Sequence, residues 1–468
     1  MSWQTIVRKN TLDISTINFA DLAGRIDAEY YKPVFLLSNK LVEGKKSVKL
    51  CELAEVKGGK RLPKDESFSE EGIPYIRAED VKNDFVDYEN SPKISQEQHQ
   101  KLKSYQTKFD DILVTIVGNS IGDVGIVKFR LAKCNLTENC AKIVNLQKIN
   151  ADYLFAFLLS KYGQNQITRE KVGTSQPKLA LVRIRDFKIP IPNQELQGKL
   201  SEVIRLAQEV KEQSKQAYKE AEQSLLKEIN LAEHKPSQEN ISVRSFSESL
   251  VDNRFDAEYW QPKYDEIEKR VSVISQKELG EIVSMKKGIE PGSEAYSDDG
   301  KPFIRVSDFT IYGIGDIEKR ISEELYDGLK ENYQPKKGEV LFTKDGTIGI
   351  SFALHKDTEA IVSGAFLRLK PKAKLDIDYL ALVLNSLYCK YQIERMSGGA
   401  IIAHLKPDNV KKIKIPILSE KKQQELAEKV LSSLRLRTEA KNLLEKTKRA
   451  VEIFIEQDEK QALAYLNQ

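Results

Sequence analysis

The sequence predicts a mixed α/β fold written twice. Two homologous globular domains are separated by two long helices, which pair as an antiparallel coiled coil about a pseudo-two-fold axis. Three observations predict this. The 468 residues are too many for one compact core. Landmarks of the first half return in the same order in the second. In each half a stretch of short apolar runs and polar loops gives way abruptly to a run with helical spacing.

The repeat is read directly from the residues. Arg25-Ile-Asp-Ala-Glu-Tyr-Tyr-Lys-Pro33 returns as Arg254-Phe-Asp-Ala-Glu-Tyr-Trp-Gln-Pro262, and Gly72-Ile-Pro-Tyr-Ile-Arg77 as Gly300-Lys-Pro-Phe-Ile-Arg305. Asp111-Ile-Leu-Val-Thr115 with Gly118 and Gly122 is echoed by Glu339-Val-Leu-Phe-Thr343 with Gly346 and Gly349. Asp152-Tyr-Leu and Asp378-Tyr-Leu follow, then Gln166-Ile167 and Gln392-Ile393. Lys188-Ile-Pro-Ile191 and Lys414-Ile-Pro-Ile417 close the two halves. A period this long is a duplicated domain and not a solenoid repeat.

Within each half, Ile112–Val117, Gly125–Lys128, Glu339–Thr343 and Ile361–Leu369 read as strands. Tyr153 to Ile167 and Tyr379 to Met396 each read as one helix. Past the Ile-Pro segments, Leu196, Leu200, Val203, Ala207, Val210 and Ser214 recur in steps of four and three, as do Leu426, Val430, Ser433, Arg437, Ala440 and Leu444. Such a seam with Glu-, Lys- and Gln-rich flanks is that of a coiled coil. About 40 helical residues span roughly 60 Å. The seams hold few large residues, so pairing, antiparallel by connectivity, is expected to bury them. The expected organisation is a first domain at 1–193, a first helix at 194–235, a second domain at 236–417 and a second helix at 418–468. His234 to Ser247 is the linker into the second half.

Composition narrows the function classes. Lys and Arg number 74 against 70 Asp and Glu, a net charge of +4 that says nothing about partners. Split by region, residues 1–193 hold 30 basic and 24 acidic residues, whereas 236–417 hold 27 and 29. The two halves share a pattern but differ in charge, and are expected to bind different surfaces. Four cysteines without a C-x-x-C pair argue against a disulfide framework or zinc site. A charged start and no long apolar run point to a cytoplasmic chain with no membrane association.

Signals for bond chemistry are scarce. No phosphate-binding or dinucleotide Gly-rich motif, nucleophile elbow or H-E-x-x-H occurs, and four histidines are scattered. A nuclease-like triplet can be forced from Asp408, Glu420 and Lys422, but the first half lacks its equivalent, and an acid-rich first helical turn accounts for it better. The Asp-Ala-Glu-Tyr motif reads as packing and capping. Three pairs of polar loops recur at matching places and are candidates for DNA contact. The first is Lys57, Lys60 and Arg61 with Lys286 and Lys287, where a Gly pair suits backbone approach to phosphate. The second is Asn119 and Ser120 with Lys344 and Asp345, on turns after a strand, suited to reading base edges. The third is Ser175, Gln176 and Lys178 with His404 and Lys406; Arg77 and Arg305 complete the set.

In their order and in both halves, these landmarks resemble the specificity subunits of type I restriction–modification systems. The resemblance implies two target-recognition domains, each reading half of a bipartite, asymmetric site in double-stranded DNA. It implies that the helices set the unread gap and dock DNA methyltransferase subunits, two in number, through Leu196, Leu200, Val203, Leu426, Val430 and Leu444. S-adenosylmethionine, ATP and Mg would belong to those partners and to a restriction (translocase) subunit, with no cofactor, metal or catalytic residue in this chain. The second half departs from the first in its net acidity and in Ser397-Gly-Gly-Ala400, which stands where the first has Gly173-Thr-Ser-Gln176. Two other readings stay open: the specificity subunit of a type II system whose partner both methylates and cleaves, and a duplicated protein-interaction scaffold without DNA readout.

Overall fold

A computed structural model of the chain describes residues 17, 22, 25–118, 120–128, 133–173, 177–237, 239, 241–252, 254–372, 374–397 and 404–468. Contacts divide it into two compact units, one formed by residues 1–210 with 439–468 and the other by 211–438. Each unit therefore contains one globular half and one end of each long helix. No helix among the described residues is long and apolar enough to cross a membrane.

In the first unit, a five-stranded sheet runs in the order Glu55–Gly58, Cys140–Val144, Ile112–Thr115, Val124–Ile126 and Asp84–Phe85, antiparallel except for the last pair. Cys140–Val144 and Ile112–Thr115 are buried on both faces, which explains their unbroken apolar character. A second sheet orders Lys93–Ile94, Ile73–Ile76, Cys134–Leu136 and Gln106–Thr107. The second unit repeats the plan with Val283–Lys287, Phe366–Pro371, Val340–Thr343 and Ser351–Ala353 in one sheet. Tyr296–Ser297, Arg320–Ile321, Lys301–Ile304 and Ile361–Val362 form the other. The run expected as one strand over Ile361–Leu369 is thus two strands in different sheets. In each half the Lys-Ile-Pro segment pairs antiparallel with a short strand, Ser47–Lys49 or Gln276–Glu278.

The single helices expected after the sheet strands are each two. Ala151–Leu159 and Lys161–Glu170 are separated by Ser160, and Ile377–Asn385 and Leu387–Ser397 by Ser386. Both serines are extended, with ψ of 160° and 161°, and fully buried. Their hydroxyls donate to Phe157 and Val383 at 2.6 Å, and this side-chain bonding to backbone competes with continued helix.

The duplication extends to individual bonds. The Arg25 guanidinium grips Asp27 at 2.7 and 2.9 Å, and Arg254 grips Asp256 at 2.6 and 2.9 Å. Asp27 accepts the Tyr30 N–H and Asp256 the Tyr259 N–H, so the motif caps a turn as its composition suggests. Tyr153 and Tyr379 donate to Pro190 and Pro416, and Gln166 and Gln392 bracket the backbones of Lys188 and Lys414.

The first long helix, Gln194–Glu228, ends before the expected residue 235. Asn230 takes a φ of 61° while Leu231 N–H reaches Leu226 O and Asn230 N–H reaches Lys227 O, the paired bonds of a Schellman stop. The second, Glu420–Glu456, is followed by Glu459–Leu466 rather than running to the chain end. The helices pair antiparallel inside the second unit, where Glu228 meets Lys422, Ser224 meets Lys429 and Ser214 meets Ser433. Inside the first unit, Asn193 before the first helix donates to Glu459 after the second, at 2.6 and 2.8 Å.

One buried position separates the units chemically. In the second, Glu339 and Arg368 form a buried bidentate pair at 2.8 Å in both arms, and Arg368 also donates to Asn332 O. Their counterparts in the first, Asp111 and Lys142, are buried without such a pair: Lys142 donates to Gln106 O and Asp111 accepts the Lys108 N–H. Burial pushes the Asp111 carboxyl up to about 6, against the Lys108 bond and the positive charge of Lys142. A carboxyl that binds its proton more tightly when folded contributes stability below its unfolded value, which is lost as pH rises to 6 and beyond. Asp111→Asn is therefore expected to raise the urea midpoint at pH 7, by at most about 3 kcal/mol in stability, with a smaller gain at pH 5. Glu339→Gln leaves Arg368 buried and unpaired, and is expected to cost about 3–5 kcal/mol at pH 7. Denaturation of both variants at the two pH values checks the opposite signs.

Candidate nucleic-acid interface

The polar loops singled out in the sequence come together around one turn in each unit. In the first unit that turn is Thr137–Asn139. Gly59 lies so close to it that an added Cβ would stand 1.9 Å from Thr137 O. Lys60 N–H donates to Leu136 O, Ile116 and Val117 N–H both donate to Asn139 O, and Thr137 N–H donates to Ile76 O beside Arg77. Lys178 bridges to Val117, which joins the third loop to the second. Asn119, Ser175 and Gln176 lie outside the described residues; Ser120 accepts the Asp123 N–H with its carbonyl.

The second unit repeats the arrangement around Ser363–Ala365. A Cβ on Gly288 would stand 2.1 Å from Ser363 O, Ser363 N–H donates to Ile304 O beside Arg305, and Lys344 N–H donates to Ala365 O. Asp345 bridges to His404, as Val117 does to Lys178. Gly59 and its counterpart Gly288 thus make close contact with the chain's own backbone, where a side chain would not fit. The hub turns themselves, with Glu138 and Asn139 in one unit and Gly364 in the other, were not singled out in the sequence. Their residues repeat no motif; only the backbone path does.

The side chains on this shared frame differ in their partners. Lys57 pairs with Glu55 at 2.7 Å, and Arg61 pairs with Glu138. Burial opposes ionisation of Glu138, but the bonds from Arg61, its own backbone and Thr137 outweigh it and hold the carboxyl below its ordinary value. Arg77 is held by Glu79 and Asp80, and Arg305 by Asp308 and Glu318. Lys344 is nearly buried and pairs with Asp345, which His404 also meets at 2.9 Å. Burial raises the Asp345 carboxyl, yet Lys344 and His404 together bring it below its ordinary value. By contrast, Lys60, Lys178, Lys286, Lys287 and Lys406 have no carboxylate partner among the described residues. Lys286 and Lys287 lie on the strand Val283–Lys287, and Lys406 opens the short helix Pro407–Lys411.

Among the described residues no group of three or more His, Cys, Asp or Glu could hold a metal ion. The triplet of Asp408, Glu420 and Lys422 is not assembled: Asp408 pairs with Lys411, Glu420 with Lys374, and Lys422 with Glu228 and Glu425. The helix residues Leu196, Leu200, Val203, Leu426, Val430 and Leu444 are all buried within the units, closing their cores. What the helices offer outward is a different face, exemplified by Leu206, which is 45% exposed between Arg205 and Glu209.

Comparison with known proteins follows the same duplication. The profile of the type I restriction modification DNA specificity domain matches residues 42–219 and again 269–448. The type I restriction enzyme MjaVIII specificity subunit of Methanocaldococcus jannaschii is 24% identical over 187 residues, 38% of this chain and 44% of its own length. The chain thus spans less than half of that relative. S.HindORF215P of Haemophilus influenzae is 22% identical over 387 residues, 81% of this chain and 84% of its own. The solved S subunit of a type I restriction-modification system from M. genitalium is 17% identical, with 90% of this chain and 95% of that chain aligned at a TM-score of 0.38. With two matches that together take in most of its length, the chain belongs to the type I restriction modification DNA specificity family.

Proposed function

We propose that this chain is the non-catalytic DNA-recognition subunit of a restriction–modification complex. Each half reads one part of a bipartite site in double-stranded DNA, and the two long helices set the unread gap. The observation that carries this reading is the pair of hub turns. The same backbone contacts gather three polar loops in each unit, while the side chains on them differ. A shared frame with unlike side chains suits two readers of the same kind with different sequences to read. Lys60, Lys178, Lys286, Lys287 and Lys406 are the cations most open to phosphate. Arg61, Arg77, Arg305 and the Asp345–His404 pair would have to exchange an internal partner for a base or phosphate. Asn119, Ser175 and Gln176 belong to the same loops by sequence.

The apolar seams of the helices are taken up inside the units, so a modification partner docks on the outward faces. S-adenosylmethionine, ATP and Mg then belong to the methyltransferase and translocase subunits, whose chemistry this chain directs by binding.

Two outcomes test the reading. In a gel-shift assay with its modification partner, the complex should favour one bipartite sequence and weaken steeply with salt. Lys286→Ala and Lys287→Ala together should lessen the slope of log K against log salt by about 2. Sequence-independent binding without a salt slope would leave the scaffold reading instead. Removing one heptad from both helices shortens each by about 10 Å and should shorten the preferred gap by about three base pairs. An unchanged gap would refute the spacing role.

A further inference from the structure

The second unit carries a hairpin that has no counterpart at the matching place in the first. Phe309–Thr310 pairs with Gly313–Ile314, and Ile311 and Tyr312 form its tip. Gly313 has a φ of 111°, and the Phe352 ring lies 3.0 Å from where its Cβ would be, so only glycine allows this turn. The Tyr312 N–H is received by the Thr310 hydroxyl. In the first unit the aligned residues are the strand Asp84–Phe85, which joins the sheet edge.

The hairpin tip reaches both long helices. The Tyr312 ring stands 5.6 Å from that of Tyr218 on the first helix, edge to face at 63°. The Arg437 guanidinium of the second helix lies over the same ring, 4.6 Å from its centroid. Arg437 Nη1 is buried without a hydrogen-bond partner, so the ring face is what offsets its lost hydration. Tyr218 in turn accepts from Asn385 Nδ2, and Asn385 receives the Ser351 N–H and donates to Ser351 O. Ser351–Ala353 pairs with Val340–Thr343, and the next residue, Lys344, bonds the hub turn at Ala365. One chain of contacts therefore runs from both helices through Tyr312 and Tyr218 to the polar loop cluster.

We propose that Tyr312 is a positioning residue that fixes the second half's loop cluster against the two helices. It does so through its ring, which meets the Tyr218 ring and carries the Arg437 cation over its face. This rests on the DNA-reading function proposed above, in which the two long helices set the gap; a reader loose on its helices would blur that gap. The first half, without the hairpin, is attached by other contacts, such as Gln208 Nε2 to Lys128 O.

The test uses the full chain with Cys51, the exposed cysteine, replaced by serine and spin labels on Gln223→Cys and Asp298→Cys, both exposed positions of this unit. Pulsed electron resonance should give a narrow distance distribution for the parent and for Tyr312→Phe. Tyr312→Leu, which keeps apolar bulk without a π face, and Arg437→Gln should both broaden it. A Tyr312→Leu distribution as narrow as the parent's would overturn the proposal, leaving simple packing. In the complex with its modification partner, Tyr312→Leu should lose about tenfold of the preference for the native gap over one changed by a base pair. Binding to a duplex holding only the second half-site should not change; its loss in step would also overturn the proposal, making Tyr312 a DNA contact. If the parent shows no sequence preference, the DNA reading fails, while the label distances still decide the clamp.

Discussion

Each compact unit closes its core with one end of both long helices, and the rest of the structure depends on that burial. The first unit's core contains Leu196, Leu200, Val203 and Ile204 from one helix and Leu444, Val451 and Phe454 from the other. The second's contains Tyr218, Ala221 and Leu225 with Leu426 and Val430. Inside the second unit the seam also holds small polar residues: Ser214 and Ser433 exchange hydroxyl-to-carbonyl bonds at 2.8 and 2.7 Å while fully buried. Such helices would be unstable alone, because small side chains bury little apolar area per turn. Their stability comes from the globular halves, and neither half completes its core without both helices.

That shared dependence explains what the duplication kept and what it released. The Arg-x-Asp clamp, the Tyr-to-Pro bond, the Gln bracket and the glycine against the hub turn occur in both units with nearly equal distances. The clamp orients an Asp that caps a backbone N–H, and the others contact backbone directly. The groups that diverged are those facing the polar loops and one buried charge site, where Asp111 and Lys142 stand apart but Glu339 and Arg368 pair. A frame that tolerates such change at its loops is what two readers of unlike sequences require.

Much of this was legible in the sequence. The repeat, the helical seams and the main buried strands follow from spacing and apolar pattern alone. The aligned motifs mark capped turns because an Asp three residues before a Tyr has few other uses there. Other features were not legible, for physical reasons. The breaks at Ser160 and Ser386 depend on one hydroxyl competing with a helical bond inside an unbroken apolar pattern. The hub turns are backbone crossings whose residues need not repeat. Gly59 and Gly288 sit against the chain's own carbonyls, a close approach whose partner a glycine in the sequence does not name. Tyr312 gave no signal, since its partners Tyr218 and Arg437 are distant in sequence. Of the candidate contacts, the convergence of loops could be expected from their recurrence, but not which cations are already paired.

The most direct test of the account is to map methylated DNA motifs in cells with and without this gene, alongside its modification partner. Two unlike readers held by the helices should give one bipartite motif with a fixed gap and unlike halves, present only with the gene. An unchanged set of methylated motifs in its absence, or a motif that is a single uninterrupted block, would contradict it.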